Sequence, residues 1–287
     1  MEAGKPQLER NGHAQASSAS ARAPSVITTL RRAIRAVWDH LGLLCGLSCT
    51  LFAVSAAGLS ALSALARMLG LSRLWEVAAG AAWMAFVAVP LYAGIAQIAH
   101  RILAHRVAPS EPPTYADLWV AFRSLWLRAV FLGLVEFVVS AVLMGNLVFY
   151  LIRGGFGFLL LAAFFVYLTA FWLVNMMYHW PLLIAAEEGL IPTESLPAGR
   201  RKARVSAALR NSLLLAAGAP LRGFGVCAFL AATGLALAAS GIGLVFLLPG
   251  YSAVLAAQAT WDELVRMGVV EAPPDPEAPP TDPGMRL

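Results

Sequence analysis

The sequence predicts an all-α integral membrane protein with six transmembrane helices in three hairpins, each preceded by a cytoplasmic interfacial amphipathic helix. Three observations carry that prediction. Of 287 residues, 59% are hydrophobic and only 13% are charged, where a soluble domain carries about 25% charged residues. Mean hydropathy is +0.71. Several uncharged runs are long enough to cross a bilayer. A soluble globular enzyme, a disordered chain and a disulfide-stapled secreted domain are thereby excluded. The three cysteines, Cys45, Cys49 and Cys227, all lie in apolar runs and read as small packing residues, with no disulfide or zinc spacing among them.

Residues 1–24, rich in Ala, Ser and Gly, read as a disordered tail rather than a signal peptide. From Val26 to Trp38, apolar residues at helical spacing face Arg31, Arg32 and Arg35, which describes a helix lying on the membrane surface. The first crossing, about 41–66, is uncharged over 26 residues, and about 20 suffice to span the hydrocarbon. The second, about 77–99, carries Pro90, which removes a backbone hydrogen bond and bends the helix. His100 and His105, beside Arg101 and Arg106, read as a solvated helix end.

After the breakers of residues 110–114, Thr114 and Asp117 form a helix-start signal. Leu118 to Trp126 reads as a second surface helix, feeding a third crossing at about 129–149. Arg153, Gly154 and Gly155 make a tight turn before a fourth crossing at about 158–178, which His179, Trp180 and Pro181 are expected to end. From Gly223 to Trp261 no charge appears over 39 positions. That length suits two short crossings, about 223–239 and 242–260, folded at Ser240-Gly241. The membrane domain is thus expected over 25–262, and 263–287 as a Pro-rich acidic cytoplasmic tail.

Charge asymmetry sets the expected orientation. The side holding both tails and the 100–128 and 180–222 loops carries 18 basic residues, against 3 opposite. Cytoplasmic loops gather Lys and Arg, so both termini are expected in the cytoplasm. Trp38, Trp119, Trp126, Trp180 and Trp261 fall at the expected cytoplasmic interface, where indole rings prefer to sit. Trp83 and Trp172 read as deeper packing groups. A repeat of 87–88 residues is suggested by Ala33-Ile34-Arg35, Ala121-Phe122-Arg123 and Ala208-Leu209-Arg210.

The candidate intramembrane polar site comprises Glu136, Asn175, His179 and Pro90. Glu136 is the one acid inside an apolar span, and a carboxylate at that depth must be paired, protonated or wetted. A structural alternative pairs it with Arg128 or Arg222. Asn175 and His179, four apart, share a helix face and suit a proton relay, a ligand pocket or an interhelical hydrogen bond. A candidate anionic-lipid contact comprises Arg200, Arg201, Lys202, Arg204 and Arg210, although topology retention explains the same charges. No catalytic set, metal site or cofactor motif is found. The expected partners are the lipid bilayer and a membrane-protein partner or a second copy of this chain, with no nucleic acid.

Three stretches, Pro90-Leu91-Tyr92-Ala93-Gly94, His100-Arg101-Ile102-Leu103 and Tyr115 to Arg123, resemble the YesL-like family of bacterial inner-membrane proteins. A basic segment followed by Asn211-Ser212-Leu213 and Pro220 extends the resemblance over residues 35–262. The resemblance implies location in a bacterial inner membrane but no established activity or site. The function expected is a non-catalytic accessory or assembly component of a transport or envelope system. The alternative is a small-molecule permease with a midplane polar site, followed by an enzyme modifying lipid headgroups.

Overall fold

A computed structural model describes residues 25–107, 111–189 and 204–270. The expected tail at 1–24, residues 271–287 of the tail expected at 263–287, and Arg200, Arg201 and Lys202 lie outside the described residues; the start of that C-terminal tail is corrected, because helix runs on to Arg266 with Glu263 and Leu264 buried. Among the described residues every element is helical. Five helices are long and apolar enough to cross a membrane: Leu41–Met68, Arg73–Arg106, Asp117–Arg153, Phe156–Glu187 and Pro220–Ala239. The first five expected crossings fall within them.

Helix α1, Val26–Asp39, starts at Ser25, whose side chain accepts the Thr28 amide at 3.2 Å. It buries Thr29, Ala33, Ala36 and Val37 on one face and leaves Ile27, Ile34 and Trp38 exposed on another. Helix α2, Leu41–Met68, buries a narrow stripe of Leu44, Leu47 and Ser48. Most of its remaining surface is apolar and open, as lipid-facing surface must be.

Helix α3, Arg73–Trp83, passes through a π-helical turn, Met84–Ala88, into α4, Val89–Val107. Pro90 explains the irregularity. It lacks the N–H that would bond the Phe86 carbonyl, and its ring crowds that same carbonyl. The Trp126 indole N–H donates to Phe86 O at 2.8 Å instead.

Helix α5, Asp117–Arg153, is one rod of 37 residues, about 55 Å at the α-helical rise. Its start follows the sequence signal: the Asp117 carboxylate accepts both the Thr114 amide, at 2.7 Å, and the Thr114 hydroxyl, at 3.0 Å. The amphipathic stretch expected at 118–126 runs into the apolar run as one helix, because no breaker separates the two. Gly154 and Gly155, with φ of 65° and 86°, reverse the chain; such angles suit residues without a Cβ.

Helix α6, Phe156–Glu187, continues through Pro181. The expected end of this span at His179-Trp180-Pro181 is also corrected. Neighbouring helices cover the proline defect, and Met177 to Ala185 are buried without interruption. Helix α7, Val205–Gly218, is broken from α8, Pro220–Ala239, at Ala219. The last apolar segment is split at Leu247 (φ −121°) into α9, Ile242–Phe246, and α10, Leu248–Arg266. It therefore does not form one uninterrupted crossing helix over 242–260.

Helix α10 is the axis of the molecule. It packs on α1, α2, α4, α6 and α8, and every residue from Pro249 to Leu264 except Ser252 is buried. Small residues allow this. Gly250 approaches α2 so closely that an added Cβ would lie 3.0 Å from Leu44 Cβ and 3.2 Å from Leu44 O. The Gly250 amide, an orphan donor of the first turn, is taken by Ser48 Oγ at 3.1 Å. Helices α4, α6 and α10 form an inner trio and carry Pro90, Pro181 and Pro249 respectively. They also hold most of the buried polar side chains, including Gln97, His100, Asn175, His179, Gln258, Asp262 and Glu263.

Candidate functional site

The turn at Gly154-Gly155 folds α5 and α6 back on each other, which brings Glu136 level with His179. His179 Nδ1 lies 2.9 Å from Glu136 Oε1, and the histidine is fully buried. The ring of Trp172 meets His179 edge-on with centroids 5.3 Å apart. Trp172 is itself fixed by donating to Ser140 Oγ at 3.0 Å. The expected arginine partners of Glu136 are engaged elsewhere, Arg128 with Glu187 and Arg222 with Glu263. Asn175, one turn before His179, is buried, and its Oδ1 has no hydrogen-bond partner. His179 Nε2 is likewise unpartnered.

Glu136 lines a cavity of about 570 Å³ that is partly open to the surface, with exposed Met84 and Leu173 among its lining residues; its volume is well within the range of small-molecule sites. Its walls are almost wholly apolar, drawn from Leu51 and Phe52 on α2, Met176 and Trp180 on α6, Leu230 on α8 and Ala253 on α10. Besides Glu136, the polar lining comes from Ser55, Tyr92 and Ser252. Tyr92 Oη lies 3.3 Å from Ser252 Oγ, joining α4 to α10 across one wall. Tyr92 also meets Trp180 edge-on at 6.1 Å. Pro90 stands behind the wall, between Val89 and Tyr92, which line it; Pro181 lines the cavity itself. Of the four sequence candidates, the fold thus joins Glu136 to His179, sets Asn175 one turn behind, and gives Pro90 a shaping role.

A second polar concentration closes one end of the bundle. Apart from His179–Glu136, the ion pairs among the described residues gather there. Arg106 pairs with Asp39 at 2.9 Å, Arg101 with Asp117 at 3.0 Å, and Arg222 with Glu263 at 2.9 Å. Asp262 accepts from Thr29 at 2.5 Å and Gln258 at 2.9 Å, with Arg32 at 3.5 Å. Burial pushes the Asp262 carboxyl above its ordinary range, against the opposing pull of Thr29 and Arg32. Burial does the same to Glu188, opposed chiefly by Arg101.

His100, expected at a solvated helix end, is instead buried, with its ring 5.6 Å from Trp261 and its Nε2 3.4 Å from Glu188. Trp180 and Trp261, expected at the interface, are also buried. The inner trio continues inward where sequence hydropathy marks an end, so these rings pack rather than float. Sequence reasoning missed Asp262 and Glu263 because an acidic pair beside a Pro-rich tail resembles solvated chain. Of the basic segment, Arg204 and Arg210 are exposed near the start of α7.

No family model matches the chain, and no curated protein or solved structure matches it. The geometry is therefore what speaks to function. The described residues include no group of three or more His, Cys, Asp or Glu able to hold a metal ion. What Glu136 and His179 can do chemically is hold and release a proton and attract a positive charge, within an apolar chamber.

Proposed function

We propose that the protein crosses a bacterial plasma membrane six times, as three hairpins with both termini in the cytoplasm, and carries a small molecule through its central cavity. The observation that carries the transport reading is a buried carboxylate, hydrogen-bonded to a histidine, on the wall of an apolar chamber of about 570 Å³. A carboxylate at membrane depth costs about 2.5–3.5 kcal/mol on insertion scales and marks functional sites. Three proline-bearing helices around the chamber supply natural points of bending.

The sixth crossing is supported by Arg222, near the start of α8, meeting Glu263, near the end of α10. Chain that leaves through α8 and returns through α9 and α10 would bring those two ends level. The cytoplasmic orientation draws on the 18-to-3 arginine and lysine bias. Exposed Arg204 and Arg210 fit contact with anionic headgroups on that side. Kinship with the YesL-like family remains a proposal resting on the motifs within residues 35–262.

The test is ligand-dependent thermal stabilisation of the purified protein in nanodiscs, followed by uptake into proteoliposomes. Stabilisation that is abolished by Ala231→Trp, which fills the cavity from α8, supports the reading. Its absence across apolar ligands of every charge contradicts it. A second reading is the accessory or assembly role. The apolar flank where Ile34 and Trp38 of α1 stand beside Phe229 and Leu237 of α8 favours it, and a stoichiometric membrane partner that co-purifies would identify it.

A further inference from the structure

We infer that the cavity takes a lipophilic monocation, which the Glu136 carboxylate pairs. This deepens the carrier reading above and rests on it.

Charge complementarity selects the ligand class. Glu136 is the acid in the cavity lining, and no Lys or Arg lines the chamber to oppose it. The other polar groups of the wall, Ser55, Tyr92 and Ser252, are neutral. Leu51, Phe52, Met176 and Leu230 offer hydrocarbon and thioether surface that would strip water from a small hydrated ion without replacing it. An organic cation whose charge is spread beneath apolar groups brings little hydration to lose. The ring of Trp180, held edge-on by Tyr92, adds an aromatic surface that favours positive charge.

Equilibrium binding to the full chain in nanodiscs separates the outcomes, using tetraphenylphosphonium, its anionic isostere tetraphenylborate, and neutral triphenylphosphine oxide. The expected result is binding of the phosphonium in preference to the borate. Glu136→Gln should weaken the phosphonium at least tenfold yet keep triphenylphosphine oxide, whose retention shows that the variant is folded. Borate binding as tight as the phosphonium, or an unchanged Glu136→Gln affinity for the phosphonium, would each overturn the inference. If none of the three probes binds and Ala231→Trp changes nothing, the carrier reading itself falls.

Discussion

Trp126 donates its indole N–H to the carbonyl of Phe86 at 2.8 Å, replacing the donor that Pro90 cannot provide. A helix defect on α4 is thus repaired by a side chain from α5, and the repair adjoins the cavity wall formed by Ala88 and Val89. Trp126→Phe should cost about 0.5–1.5 kcal/mol, the net contribution of the lost hydrogen bond. In a Pro90→Ala background the restored backbone N–H should remove most of that cost. Thermal denaturation of the two single variants and the double variant measures the coupling; strict additivity would refute the repair.

Gly250 marks the closest approach of α10 to α2. Gly250→Ala should destabilise by about 1–3 kcal/mol through overpacking, because its Cβ would meet Leu44 at 3.0 Å and neither backbone can retreat. Gly225 on α8 is the control, with Val26 no nearer than 3.6 Å to an added Cβ. There alanine should be neutral or stabilising, by up to about 1 kcal/mol from helix propensity. Equal destabilisation at both positions would contradict this packing of α10 against α2.

The polar end of the bundle should show opposing pH effects. The Asp262 carboxyl is raised by burial, so the folded protein holds its proton more tightly than the unfolded chain. Its contribution is then complete below the ordinary carboxylate value and is lost as pH rises through the folded value. His40 is shifted the other way, lowered first by burial and then by Arg106. Its contribution is present above about 6.5 and is lost as pH falls through the lowered folded value. Melting curves in detergent should therefore fall less steeply toward acid for His40→Gln than for the wild type. For Asp262→Asn the acid-side fall should be steeper. Parallel pH profiles for all three proteins would refute both assignments.

The six crossings proposed here would place both termini on one side. Paired reporter fusions, one active only in the cytoplasm and one only outside it, should report both ends as cytoplasmic. A C-terminal fusion reporting the outer side would mean that α9 and α10 do not return the chain.

Much of this architecture was legible because hydrocarbon sets simple rules. Runs such as Leu41–Ala66 announce a crossing by the absence of charge, and the Thr114–Asp117 start formed as its spacing predicts. Glu136 and His179 were each visible as a polar residue where none is cheap. Their partnership was not, because they are 43 positions apart and their register depends on how the Gly154-Gly155 turn sets α5 against α6. Pro181 misled for a related reason. In water a proline beside Trp and His ends a helix, whereas packed neighbours cover the defect in this bundle and the helix runs on to Glu187. The axial role of α10 was hidden by its composition. Gln258, Thr260, Asp262 and Glu263 lower its hydropathy because it faces other helices rather than lipid.

Everything proposed for the cavity rests on the Glu136 carboxyl standing in an apolar chamber open to small hydrophobic molecules. Dicyclohexylcarbodiimide, an apolar reagent that adds to carboxyl groups to leave an N-acylurea, probes that access directly in native membranes. Peptide mass spectrometry should find Glu136 modified, and protected by Ala231→Trp. A folded protein whose Glu136 stays unmodified under conditions that label other acids would contradict the proposal.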